Sequence, residues 1–381
     1  MRAIGLMSGT SLDGIDAALI DLVPRQNNYE VELVRFATAK FERALLEELR
    51  AALPPNVPSI ERLASLNRRL GIAFADAAAS VAGGAIDFVA SHGQTIWHDG
   101  ERRLTVQIGD PYTVRDRLGA TVCFDFRTAD CVAGGHGAPL VPHVDALLFS
   151  DPAEDRLAIN IGGIANVTAL PKARAEAAYA YDTGPGNILL DAFVGIRSNG
   201  VSAMDRDGAL AARGEVDEPL VAAMLQEAYF GLPFPKSTGR ELFGDRFLAR
   251  HAEGLRRLND ADGAATLTEL TARTVAQAIV ATNFRAPRAI VSGGGARNPH
   301  LLQRLSHHAP HARIETSDRH GVPVDAKEAI AFAILGYETL RGRAANVPAA
   351  TGAERPAVLG AIVPHELSNL LERMDRECRL T

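Results

Sequence analysis

The chain has 381 residues, 47% hydrophobic and 23% charged, which suits folded domains with buried cores and excludes extended disorder. At this length one core rarely serves, so two domains are expected. A formal net charge of -6 argues against nucleic acid or an anionic membrane surface as the main partner, and no stretch approaches the ~18 uninterrupted apolar residues of a membrane span. The three cysteines, Cys123, Cys131 and Cys378, lack paired-ligand spacing, and Met1-Arg2-Ala3 leads straight into a strand, so a reduced cytoplasmic protein without structural zinc is expected. Arginine carries nearly all the positive charge, because lysine occurs only at Lys40, Lys172, Lys236 and Lys327.

The first predicted element is a β-hairpin: the apolar run Ile4 to Met7, a small-residue turn, and a second apolar run from Ala17 to Val23. Its turn, Ser8-Gly9-Thr10-Ser11-Leu12-Asp13-Gly14-Ile15-Asp16, offers unobstructed backbone N–H groups and three hydroxyls, a loop able to wrap polyphosphate oxygens. Asp13 and Asp16 suit Mg²⁺, which prefers carboxylate and water oxygens. A glycine turn with solvated aspartates fits the same letters. Val31 to Phe36 continues strand character, and two helices follow. The second, from Ser59, spaces Ile60, Leu63, Leu70, Phe74, Ala77 and Val81 as one apolar stripe. Ile86 to Ala90 reads as a buried strand ending at Ser91-His92-Gly93-Gln94, a position where α/β proteins place ligands. Leu104, Val106 and Ile108 alternate as a strand, Asp110-Pro111 starts a helix, and Ala120 to Phe126 is a strand ending in Arg127.

Small residues peak at Gly134-Gly135-His136-Gly137-Ala138-Pro139, and the domain boundary is expected near here. Residues 1–130 with the C-terminal segment from about 341 to 381 form the first domain, and residues 131–340 the second. Leu157 to Ile161, Gly162-Gly163 and Ile164 to Leu170 repeat the opening hairpin logic. Tyr179 to Tyr181 delivers Asp182-Thr183-Gly184-Pro185-Gly186-Asn187 to a helix from Ile188 to Val194. Leu220 to Tyr229 and Leu242 to His251 read as helices around a loop from Pro233 to Arg240. Thr266 and Glu269 form a capping box for a helix through Ala281. Arg288 to Val291 is a strand before Gly293-Gly294-Gly295, and Asn298-Pro299 starts a helix. Asp325 and Glu328 resemble another capping box, for a helix to about Leu340. The tail ends in a helix from His365 through Leu380.

Four strand-to-glycine turns occur without GxxxxGK followed by Ser or Thr and without GxGxxG after a strand, which disfavours P-loop and Rossmann sites. Together they favour a nucleotide held by backbone donors between two domains, as in actin-like folds. Asp182 is the candidate general base, its alternative role being to complement a helix dipole. Glu328 is either a substrate contact or a cap. His92 and His136 are candidate substrate donors or satisfied structural side chains, and Arg127 is a carboxylate clamp or a surface ion-pair partner. His307, His308 and His311 read as a solvated helix end rather than a metal cluster.

The motifs Gly5 to Asp16, Ser91-His92-Gly93-Gln94-Thr95, Gly134 to Leu140, Asn160 to Asn166, Asp182 to Asn187 and Ser292 to Asn298, in this order, closely resemble the anhydro-N-acetylmuramic acid kinase family. The resemblance implies an α/β, two-domain actin-like fold (acetate and sugar kinase/Hsc70/actin) with a central nucleotide cleft, ATP and Mg²⁺ as cofactors, and a homodimer. It also implies the reaction of ATP, water and 1,6-anhydro-N-acetylmuramic acid to N-acetylmuramic acid 6-phosphate and ADP, a step of peptidoglycan recycling. By the same match Asp182 is the base. Gly9, Thr10, Ser11, Leu12, Asp13, Gly14, Ile15 and Asp16 form the phosphate loop, with the metal at Asp13. Gly162, Gly163, Gly184, Gly186, Asn187, Gly293, Gly294 and Gly295 serve the nucleotide, the last three on its adenosine side. Ser8, His92, Gln94, Arg127, His136 and Glu328 serve the sugar. A kinase of another small sugar, or a non-catalytic ATP-regulated binding protein, is the alternative on this fold.

Overall fold

The computed structural model describes residues 1–9, 12–25, 29–172, 177–234 and 236–380, apart from the side chains of residues 378–380. The strands are β1 (Arg2–Ser8), β2 (Ile15–Pro24), β3 (Tyr29–Ala39), β4 (Phe88–Asp99), β5 (Leu104–Ile108), β6 (Thr121–Phe124), β7 (Arg156–Ile161), β8 (Ile164–Leu170), β9 (Tyr179–Pro185), β10 (Arg288–Ser292), β11 (Arg313–Thr316) and β12 (Ala361–Val363). They fall into two compact units, Met1–Leu148 with Ala326–Thr381, and Phe149–Asp325.

In the first unit the sheet order is β12-β6-β4-β1-β2-β3, with β5 on β4. β1, β2 and β3 are an antiparallel meander, and β4 and β6 run parallel on the other side of β1. In the second unit the order is β11-β10-β7-β8-β9, again an antiparallel meander, β7-β8-β9, extended beyond its first strand by two parallel strands, β10 on β7 and β11 on β10. One plan thus occurs twice, the duplication expected of an actin-like α/β fold. After Arg2 every residue of β1 is buried, as a central strand covered on both faces requires.

The unit boundaries differ from the expected 130 and 340, because two segments pack inside the first unit. The helix Lys327–Leu340 lies so close to β1 that a Cβ on Gly5 would fall 1.8 Å from the Ala329 carbonyl oxygen. Its buried Lys327 pairs with buried Asp145 at 2.7 Å.

Capping also differs. The helix Asp260–Ala281 starts two turns early, at Asn259, whose side chain accepts from Asp262 N–H at 2.9 Å. Thr266 and Glu269 are interior, and Glu269 is fully buried against Arg273 (2.7 Å), Arg304 (2.6 Å) and His308 (2.6 Å). His308 is therefore an ion-cluster member and not solvated like its exposed neighbours His307 and His311. The helix Lys327–Leu340 has Ala326 at its N-cap and no side-chain cap, while Asp325 pairs with Arg297. In the helix Ile60–Val81 the expected stripe buries Leu70, Phe74, Ala77 and Val81 and half-buries Leu63, with Leu66 buried beside them, but Ile60, preceding the packed turns, is 87% exposed. Among the described residues no helix is long and apolar enough to cross a membrane.

Candidate active site

In the second unit, three glycine turns lock together at the carboxyl ends of β7, β9 and β10. Gly186 N–H and Ile188 N–H donate to the Gly163 carbonyl (2.8 and 3.1 Å), Asn187 N–H donates to that of Gly162 (2.8 Å), and Asn187 Nδ2 donates to Ile161 O (3.3 Å). Gly293 has φ 76°, and a Cβ there would sit 2.6 Å from Asn160 Oδ1; one on Gly295 would sit 2.4 Å from Ile161 Cγ2. Gly294 borders Asn187, and Gly184, at φ 139°, abuts Phe230. A Cβ is excluded at Gly184, Gly186, Gly293 and Gly295, and the other glycines carry none, so the rim of these turns is backbone, the surface that suits phosphate and nucleotide oxygens.

Asp182 lies in β9 just before these turns. Its N–H donates to Lys236 O (3.1 Å), its carbonyl accepts from the Tyr229 hydroxyl (2.7 Å), and its carboxylate Oδ2 accepts from Thr238 N–H (2.9 Å) and Ser237 Oγ (3.2 Å). Burial pushes the carboxyl up to about 6, against the two hydrogen bonds and with the help of nearby Glu241. The helix dipole does not explain Asp182, since the helix Ile188–Arg197 starts later and has Asp191 in its first turn. A carboxylate titrating there is ionised at neutral pH yet basic enough to take a proton.

In the first unit, the turn after β1 is fixed at its base. Ser8 Oγ lies 2.9 Å from Gly14 O and 2.7 Å from Gln94 Oε1, and Gln94 Nε2 donates to Gly9 O (3.3 Å). Ser8 and Gln94 are fully buried, so they brace the turn rather than present open polar groups. Leu12 has φ 61° and inserts its side chain in the core, and Gly14, at φ 157°, leaves only 2.6 Å between a Cβ and Ala39 O. The Ile15 side chain is also core, which leaves only its backbone for a ligand. Asp16 Oδ1 accepts from Thr38 Oγ1 (2.6 Å), and Asp13 is exposed. Thr10 and Ser11 lie outside the described residues.

His92 is buried, its Nε2 accepting from Arg127 Nε (3.0 Å) and its Nδ1 therefore donating to Gly93 O (2.9 Å). Burial and the Arg127 charge hold it well below the usual imidazole range, so it is neutral and satisfied. Arg127 Nη1 donates to Gly137 O (2.8 Å), and Nη2 has no hydrogen-bond partner among the described residues. Glu328 makes no hydrogen bond or ion pair among the described residues, and burial raises its carboxyl while Lys327 and Arg127 oppose that. His136 is exposed on a loop whose N–H donates to Thr351 O (2.8 Å). Asp130, fully buried, ties this loop down: Oδ2 accepts from Gly137 N–H, and Oδ1 from Asn346 Nδ2 and Thr351 Oγ1, each at 2.8 Å.

The model of the anhydro-N-acetylmuramic acid kinase family matches residues 1–365. The chain belongs to the anhydro-N-acetylmuramic acid kinase family. It is 44% identical over 371 residues to the curated anhydro-N-acetylmuramic acid kinase of Streptomyces avermitilis, covering 96% of this chain and 94% of that protein. The kinase of Xanthomonas campestris pv. campestris is also 44% identical over 371 residues (95% and 97% covered), and that of Caldanaerobacter subterraneus subsp. tengcongensis 39% over 380 residues (94% and 96%).

In this member of the anhydro-N-acetylmuramic acid kinase family, sequence reasoning missed Asp130, Tyr229, Ser237 and Thr238. The last three sit in or beside a Pro/Ser/Thr loop some fifty residues from Asp182, and Asp130 joins Gly137 seven residues on to Asn346 and Thr351 in the tail, partners that no local pattern announces. Among the described residues no group of three or more His, Cys, Asp or Glu is placed to hold a metal. Asp13, Asp16 and Glu328 are nevertheless oxygen donors of the kind Mg²⁺ takes, and an ion carried by a nucleotide needs only one or two.

Proposed function

We propose that the chain is an ATP-dependent kinase that opens 1,6-anhydro-N-acetylmuramic acid with water and phosphorylates the released oxygen, giving N-acetylmuramic acid 6-phosphate and ADP in cytoplasmic peptidoglycan recycling. The anhydro sugar has no free 6-hydroxyl, because O6 is bonded to C1. Water must therefore add at C1 while the C1–O6 bond breaks. O6 then bonds to the γ-phosphorus as the bond to the β-phosphate oxygen breaks, and the water proton passes to Asp182. Asp182 acts late, as C1 becomes cationic and the attacking water acidic. This parallels an inverting glycosidase, with the phosphoryl group in place of the general acid.

The observation that carries this reading is the Asp182 carboxylate, held at about 6 beside three interlocked glycine turns. Those turns serve the nucleotide, with Gly293 to Gly295 on the adenosine side, and the turn from Gly9 to Asp16 serves the phosphates. Arg127, whose Nη2 has no hydrogen-bond partner among the described residues, suits the carboxylate of the muramic side chain, and Glu328 and His136 suit its hydroxyl and amide groups. Mg²⁺ at Asp13 would neutralise phosphate charge. The homodimer implied by the family resemblance is part of the proposal, and sedimentation tests it.

Incubation with ATP and either the anhydro or the open-ring sugar, followed by product mass, decides the matter. The anhydro sugar should gain one phosphoryl group plus one water, with label from ¹⁸O-water in the sugar and not in the phosphate. Phosphorylation of the open-ring sugar alone would mark an ordinary sugar kinase, and nucleotide binding without either product a non-catalytic binding protein.

A further inference from the structure

The base proposed above is gripped almost entirely by one loop. Four contacts reach Asp182 from residues 229–238: Tyr229 hydroxyl to its carbonyl, Lys236 carbonyl from its N–H, and Thr238 N–H and Ser237 hydroxyl to Oδ2. Both carboxylate contacts fall on the same oxygen. Oδ1 receives no hydrogen bond among the described residues, although a carboxylate oxygen can accept two. The charged groups around it are few. Glu241 lies close enough to oppose ionisation, and the Tyr229 hydroxyl is neutral and committed. The Lys236 ammonium is turned aside, donating to Tyr229 O (3.1 Å) and Phe230 O (3.2 Å) over the Tyr229 ring, and among the described residues no cation forms an ion pair with the carboxylate.

We infer that Ser237 and Thr238 are positioning residues of the reaction: they saturate Oδ2, fix the carboxylate plane, and leave Oδ1 as the oxygen that receives the proton from water. A base paired to Lys or Arg would be held ionised but too weakly basic, and a buried base without donors would be protonated at neutral pH. Two neutral donors give a middle setting. One comes from the backbone and survives every substitution but proline; the other is a single hydroxyl.

This inference rests on Asp182 being the base, so the test runs Asp182→Asn alongside Ser237→Ala, Ser237→Thr and Glu241→Gln. The readout is kcat/KM for the anhydro sugar against pH at saturating ATP, where titration of the nucleotide is common to all variants. Ser237→Ala removes a hydrogen bond to the charged form, so the acid limb should move up by roughly 0.5–1 pH unit, with the rate recovering towards the parent value above pH 8. Ser237→Thr should restore the limb, and Glu241→Gln, which removes a neighbouring negative charge, should move it down. An unmoved limb in Ser237→Ala, or a rate lowered equally at every pH, overturns the inference while leaving the base assignment intact. Turnover surviving in Asp182→Asn overturns the base itself.

Discussion

Asp182 sits in β9 with its carboxyl near 6, and both its identity and its environment have consequences for rate. Asp182→Asn keeps the shape and loses the proton acceptor, so turnover should fall by about 10² to 10⁴ while ATP affinity stays unchanged; calorimetric ATP binding and steady-state rates separate the two. The base works ionised. With its carboxyl raised to about 6, activity should be full above neutrality and fall about tenfold per pH unit below that value, which a pH–rate profile reads directly. Glu328 is a different case. With Ala326 at the N-cap, helix capping does not account for it, and its raised carboxyl has no hydrogen-bond partner among the described residues. Glu328→Gln should raise the KM for the sugar several-fold and leave that for ATP alone; an unaltered sugar KM would remove it from the site.

Strands and glycine turns behave as punctuation and were legible for that reason. Val/Ile/Ala runs ending in Gly162-Gly163 or Gly293 to Gly295 carry a local signal, and at Gly293 and Gly295 the turn itself demands residues without a Cβ. Helix starts were legible where a side chain caps its own helix, as at Ser59 and Asp110, and illegible where a remote partner decides the role. Glu269 shows why: spacing from Thr266 suggests a cap, but Arg304 and His308, far along the chain, turn it into the centre of a buried ion cluster. The cations hold its carboxyl down at about 2. A depressed carboxyl stabilises the fold above the ordinary carboxylate range and loses that contribution as pH falls towards 2, so the urea midpoint should drop between about pH 4.5 and 2. Glu269→Ala, which leaves these cations unpaired, should cost on the order of 3 kcal/mol at pH 7 and flatten that acid dependence. The clustered turns make a sharper demand. Gly293→Val forces a β-branched residue to φ 76° with its Cβ against Asn160 and Ile161, which should abolish ATP binding by calorimetry even if the variant folds.

For the molecule as a whole, binding and chemistry should be separable in stability. ATP at 100 times its dissociation constant should stabilise the fold by ~2.7 kcal/mol, and the same thermal shift should persist in Asp182→Asn and vanish in Gly293→Val. The duplicated sheet plan was foreshadowed by the two hairpin-like openings, whereas the boundaries were not, because the packing of Gly5 against Ala329 and of Lys327 against Asp145 joins residues more than 180 positions apart. That threading sets a timetable for synthesis. Phe149–Asp325 is one uninterrupted stretch, but the first unit needs β12 beside β6, Asn346 and Thr351 on Asp130, and Glu377 on the Met1 amino group. As the polypeptide leaves the ribosome, the middle of the chain can mature while the N-terminal portion waits, its Asp130 carboxylate without its donors Asn346 and Thr351, for the segment beyond residue 340 to be made. Chains ending at Leu340 and released from the ribosome should therefore already yield a protease-resistant core from the middle of the chain and none from its beginning.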